Sequence, residues 1–63
     1  MTDDKIQRRN LAAAALRDAA AAMHRAAHEM LWLDDREADQ HAAEMVGAAL
    51  LAESWAGVLE VAA

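Results

Sequence analysis

The segment Leu33-Asp34-Asp35-Arg36-Glu37 decides the fold of this chain, because its pattern is that of a helix start in the middle of the sequence. Asp34 followed three residues later by Glu37 matches a capping box, and Leu33 stands where a hydrophobic staple residue is found. A helix that starts here requires an earlier helix to have ended. The segment therefore predicts two helices of similar length joined by a short turn, which is typical of an antiparallel hairpin.

Residues 1–63 are accordingly predicted to form a single helical-hairpin domain. The first helix is expected over about residues 3–32 with Thr2 as its N-cap, since this stretch contains neither Gly nor Pro and is rich in helix-forming residues. The turn is expected at about 32–34 and the second helix at about 35–62. Because neither Gly nor Pro marks the break, one continuous helix is the alternative.

The composition is rich in apolar residues and poor in apolar volume. Of the 63 residues 57% are apolar, but 19 of these are Ala and the aromatic residues are two Trp. The absence of Cys excludes a disulfide scaffold and a Cys-based zinc module, and the apolar content argues against disorder. A chain this short seldom buries enough apolar area alone. We therefore expect it to associate with itself or with a partner.

The first helix carries a seam suited to close packing. Two rows of residues repeat every seven positions, as they do in helices that pack along their whole length. One row is mostly small and the other long and flexible: Ile6, Ala13, Ala20 and Ala27, and Leu16, Met23 and Met30. Small residues allow two helix axes to come close together.

The second helix is apolar nearly all round. Its thin stripe is predicted to pack on the first helix and comprises Met45, Ala49, Ala52, Ala56 and Leu59. A helix that is apolar on several sides is buried on more than one of them, so we expect two hairpins to form a four-helix bundle. The interface with a second copy or a partner is predicted at Val46, Leu50, Leu51, Trp55, Val58 and Leu59.

Neither a membrane span nor a signal peptide is expected. Residues 45–63 have the length of a span, but Glu53 and Glu60 lie within them and no Lys or Arg flanks them. The chain begins with acidic residues, and Arg17 and Asp18 interrupt its first apolar run. The sequence therefore predicts a cytoplasmic protein.

Residues suited to catalysis are scarce. Thr2 and Ser54 are the only hydroxyl residues, Cys is absent, and no Gly-rich loop is present to hold a phosphate group. Two helices also provide little concavity for a substrate. The chain is predicted not to be an enzyme and to need no cofactor.

Charge is distributed unevenly along the chain. Residues 5–28 carry a net charge of +4 and residues 29–63 a net charge of −7. Asp3 and Asp4 supply the remaining −2 of the total of −5. An acidic total argues against a general nucleic-acid binder. The basic first half keeps an RNA- or DNA-binding dimer as an alternative, with contacts expected from Arg8, Asn10, Arg17 and Arg25.

A 63-residue helical hairpin with the acidic turn 33–39 resembles the plasmid RNA-binding regulators of the Rop family. The resemblance implies an antiparallel four-helix dimer that contacts paired RNA loops through its first helix, with Asn10 and Arg25 at positions able to contribute. Three positions stand where that face would have a basic residue, an aromatic residue and an amide: Asp3, Ala14 and Asp18. The resemblance is therefore one of architecture.

Three histidines suggest a metal site as a second alternative. His24 and His28 are one helical turn apart, a spacing that can bind a divalent metal. In an antiparallel hairpin, His28 is expected near His41, and His24 near Glu44 or Met45. Three imidazoles and a carboxylate would form a zinc or iron site.

These patterns favour a non-enzymatic protein. The predicted function is that of a small regulator or adaptor of bacterial or phage type, which homodimerises and binds a larger protein through its apolar second helix to inhibit or recruit it. Trp55 is the predicted anchor, because Trp is enriched at binding hot spots. Trp32, near the turn, is predicted to cover the end of the bundle.

Overall fold

The protein forms two antiparallel helices packed along their length, as seen in a computed structural model that describes residues 3–60. Helix α1 spans Asp3–Leu31 and helix α2 spans Arg36–Leu59. The hairpin measures 49 × 13 × 13 Å, and residues 3–60 contain no strand. The prediction of an all-helical hairpin is confirmed, and the continuous helix is wrong. The expected N-cap Thr2 and the expected helical residues 61–62 lie outside the described part.

Two backbone hydrogen bonds shape the turn. The N–H groups of Trp32 and Leu33 each donate to the carbonyl three residues earlier, at 3.1 Å, and so tighten the end of α1. Asp34 then adopts a left-handed conformation with φ 50°. Asp tolerates this region better than most residues do. The chain thereby reverses direction within four residues, and α2 begins at Arg36.

The N-cap of α2 is Asp35, and the predicted role of Asp34 is wrong. Asp35 has an extended backbone (φ −128°, ψ 128°), and its Oδ1 accepts a hydrogen bond of 2.9 Å from the backbone N–H of Glu37. Asp34 cannot serve, because an N-cap needs the extended conformation that its positive φ excludes. Glu37 is therefore two residues after the cap, and the predicted capping box does not form.

Replacing Asp35 with Ala is expected to lower the free energy of unfolding by about 1 kcal/mol, because the N–H of Glu37 loses its acceptor. Asp34→Gly is the control, since Gly adopts positive φ without strain. Chemical denaturation of both variants measures the difference. A lower free energy of unfolding for Asp34→Gly with no change for Asp35→Ala would show that Asp34 is the N-cap, as the sequence predicts.

Arg9 links the two helices at the open end of the hairpin, which is the end opposite the turn. Its Nη2 donates to the carbonyl of Val58 in the last turn of α2, at 3.2 Å. Carbonyls at the end of a helix lack partners within the helix, and a cation there also complements the helix dipole. Helix α2 ends at Leu59, earlier than predicted, where the N–H of Glu60 donates to the carbonyl of Ala56.

The core consists of alanine. The buried residues are Ala13, Ala20, Ala27, Ala38, Ala42, Ala49, Ala52 and Ala56. Leu16 and Met23 pack against this row but are only half-buried, and no larger side chain in residues 3–60 is buried. The predicted seam of small residues is present and brings the two helices close together. It also leaves the hairpin with little buried apolar area.

Candidate interaction surfaces

The two broad faces of the hairpin differ in character, and one carries polar contacts between the helices. Arg17 Nη1 lies 2.6 Å from Glu60 Oε2, and His24 Nε2 lies 3.1 Å from Glu53 Oε1. All four side chains are about half exposed. We call this side the polar face.

The opposite side carries a shallow apolar groove, lined by Met23, Met30, His41, Glu44, Met45 and Ala48. Met23 and His24 are neighbours in sequence, about 100° apart around α1, and so lie on either side of the buried alanine row. Leu51 and Trp55 follow Ala48 at helical spacing and extend the groove toward the open end. We call this side, together with Leu16, the groove face.

The six predicted interface residues lie on two sides of α2. Trp55 and Leu59 belong to the groove face, with Leu51 and Val58 along its outer edge. Val46 and Leu50 precede Glu53 by seven and three residues, which places them on the polar face. Leu59 is half-buried, whereas the others are exposed, from 37% for Val46 to 71% for Val58. One flat partner therefore cannot cover all six.

His24 lies against Glu53, whereas Glu44 or Met45 is the neighbour that the sequence predicts. The backbone register is close to the prediction, since Ala20 packs with Ala49. Side chains on a helix lean toward its N-terminus, and in an antiparallel pair the two leans add. His24 therefore contacts a residue of α2 that lies farther from the turn than the residue directly opposite it.

The predicted metal set does not assemble. His28 lies against Trp32 and not His41, with the Trp32 Nε1–H donating to His28 Nε2 at 3.4 Å. His41 lies 3.8 Å from Glu37 and 3.6 Å from Glu44 on its own helix. Among residues 3–60, no group of three or more His, Asp or Glu side chains is arranged to hold a metal ion.

Two of the four residues predicted to contact nucleic acid, Arg8 and Arg17, are paired with carboxylates. Arg8 Nε is 3.4 Å from Asp4 Oδ2, and Arg17 is paired across the helices with Glu60. Arg8 and Arg17 are nine residues apart, so they lie on opposite sides of α1. Asn10 is half-buried and Arg25 is exposed. The basic residues of α1 therefore do not form one uninterrupted cationic face.

Trp32 is the most exposed large apolar side chain in the described part of the chain, at 76%. The sequence predicts that it covers the end of the bundle, but in the hairpin it contacts His28 and leaves most of its indole in solvent. The sequence feature that could have indicated this exposure is the run Leu31-Trp32-Leu33, in which three large apolar residues stand at a turn bounded by acids.

Helix α2 meets the minimum length and composition for crossing a membrane. An 18-residue window of Arg36–Leu59 has a mean hydropathy of 1.3, and 22% of that window is buried within the hairpin. A helix that packs inside a soluble assembly passes the same test. Because most of that window is not buried, α2 carries apolar surface that α1 does not cover.

Comparisons with protein-family models, curated proteins and solved structures gave no match.

Proposed function

We propose that this protein is a non-enzymatic cytoplasmic regulator or adaptor that works as a homodimer and binds a larger protein through its apolar second helix. One observation carries the proposal: among residues 3–60 the hairpin buries only alanine, while most of the larger apolar side chains of α2 remain exposed, namely Val46, Leu50, Leu51, Trp55 and Val58. Exposed apolar surface on this scale marks sites of protein association. The exposed residues of α2 form two groups, of which one is available to a second copy and the other to the larger protein.

The hairpin exposes more surface than a compact protein of its mass. Its accessible area is 4798 Å², whereas a folded 6.8 kDa monomer exposes about 4,000 Å². The excess is roughly the 800 Å² that each partner contributes to a standard interface. The radius of gyration is 14.8 Å, against about 11 Å for one compact chain of this length, so the hairpin is elongated. The excess accessible area favours a second copy.

The groove face is the surface best suited to that second copy. Flexible Met23, Met30 and Met45 side chains adapt to an opposing surface, and Trp55 adds a large apolar group. The polar face is less suitable, because a second hairpin lying across both helices would take the ion pairs between them out of water. A partner that contacts only α2 at Val46 and Leu50 does not have to cover those pairs. Two hairpins packed through their groove faces form a four-helix bundle. The dimer then uses both helices and not α2 alone.

Val46 and Leu50 remain outside such a dimer, because they lie on the polar face. We place the contact between α2 and the larger protein there. Gly57 is on the same side, and a Cβ built at this position meets nothing within 4 Å. A partner side chain therefore has room to approach the backbone of α2.

Nucleic-acid binding is supported less well. Glu53 and Glu60 lie beside His24 and Arg17 on the polar face, where their carboxylates repel phosphate groups. The chain also carries a net charge of −5. Protein binding through apolar contacts faces neither obstacle.

Affinity capture from the native host with the wild type and Leu50→Asp in parallel tests the proposal. We expect a protein partner that stays bound to the wild type in about 0.5 M salt, since apolar contacts are not screened. Leu50→Asp should lose that partner and keep the mass of a dimer. Leu11→Asp is the matched control, an exposed leucine of α1 that should keep both.

Two results would count against the proposal. One is capture of nucleic acid that salt releases steeply, which would favour the basic residues of α1. The other is equal capture by Leu50→Asp and the wild type.

A further inference from the structure

The hairpin tip presents three consecutive large apolar side chains to solvent. Leu31, Trp32 and Leu33 are 57%, 76% and 66% exposed. The surfaces assigned above run along the helices and do not use this tip. Apolar side chains this exposed gain considerable free energy when a partner covers them.

Backbone hydrogen bonds and one ring contact define the conformation of the tip. The N–H groups of Trp32 and Leu33 donate to the carbonyls of Glu29 and Met30, both at 3.1 Å. The Trp32 indole stands edge-on to the His28 ring, with centroids 6.4 Å apart and planes at 75°. This contact favours one orientation of the indole and so reduces the freedom that it loses on binding, which suits an anchor.

Carboxylates surround this apolar tip. Residues 29–39 carry five acids against one base, for a net charge of −4: Glu29, Asp34, Asp35, Glu37 and Asp39 against Arg36. All six side chains are exposed. An anionic membrane and nucleic-acid phosphates are both repelled by such a surface, whereas Lys and Arg are attracted to it.

We infer that the tip docks on a basic amphipathic element of another protein, with Trp32 as the anchor. Apolar side chains of that partner contact Leu31, Trp32 and Leu33, and its Lys or Arg residues face the surrounding carboxylates. This inference goes beyond the proposed function, because it needs neither the groove face nor the contact at Val46 and Leu50.

A synthetic helical peptide of Leu and Lys is the probe. Full-length protein carrying Trp55→Phe retains Trp32 as its only tryptophan, and we expect its emission to shift to the blue and saturate as peptide is added. Anisotropy of the labelled peptide then gives affinities for other variants. Trp32→Ala should weaken binding at least tenfold, whereas Leu11→Ala should change it less than twofold, since Leu11 is similarly exposed (62%) but distant from the tip.

The controls separate the partner classes. A peptide with Glu in place of each Lys should not bind, and phosphatidylglycerol vesicles and duplex RNA should leave the Trp32 emission unchanged. Absence of binding by the Leu/Lys peptide, binding insensitive to Trp32→Ala, or an equal response to vesicles or RNA would overturn the inference. Trp32→Ala should sediment like the wild type, so failure here is distinguishable from failure of the proposed dimer.

Discussion

Replacing Met23 with Asp is expected to abolish the dimer together with most of the helical structure. Met23 packs against the cluster of Ala20, Ala49 and Ala52 and also lines the groove. A carboxylate there would be taken out of water without a partner, at a cost of several kcal/mol. That cost is comparable to the whole stability of a small domain. Circular dichroism and sedimentation equilibrium, measured on the same samples, report the two losses.

Leu11→Asp is the control for Met23→Asp. It introduces the same charge on the same helix at a residue that is 62% exposed, outside the groove face. This variant should keep the helicity and mass of the wild type. A Met23→Asp protein that stayed fully helical as a monomer would show that the hairpin folds without a second copy.

Replacing Ala49 with Leu is expected to cause the second large effect, a loss of thermal stability. Ala49 is 0% exposed and packs in the same interhelical cluster as Ala20. A larger side chain must push the helices apart, and overpacking of this kind costs about 1–3 kcal/mol. In a domain of this size the Tm should fall by on the order of 10 °C. Thermal melts at matched protein concentration measure it.

Ala43→Leu provides the comparison for Ala49→Leu. Ala43 is exposed on the same helix, so the same change should alter stability by no more than about 0.5 kcal/mol. Equal losses at the two positions would mean that the alanine row is not where the helices meet.

The helices and their seam were predictable from sequence because both are periodic properties of many residues. Every residue in the row Ala13, Ala20 and Ala27 supports the same face, so an error at one position changes little. The central turn was visible for a similar reason, since several acidic residues cluster at 34–39. Patterns of this kind fix which elements form and roughly which side is buried.

Features that depend on single dihedral angles or on side-chain direction were not predictable in this way. Asp34 and Asp35 are both suitable N-caps by residue type, and only the positive φ of Asp34 decides between them. The contact between His24 and Glu53 depends on the lean of both side chains. The exposure of Trp32 depends on how tightly the chain turns after Leu31.

Sedimentation equilibrium of the wild-type protein at micromolar concentrations is the sharpest test of whether a second copy covers the groove face of the hairpin. We expect a folded species of twice the 6.8 kDa chain mass, with a Tm that rises as protein concentration rises. A fully helical species of 6.8 kDa, with a Tm independent of concentration, would contradict it.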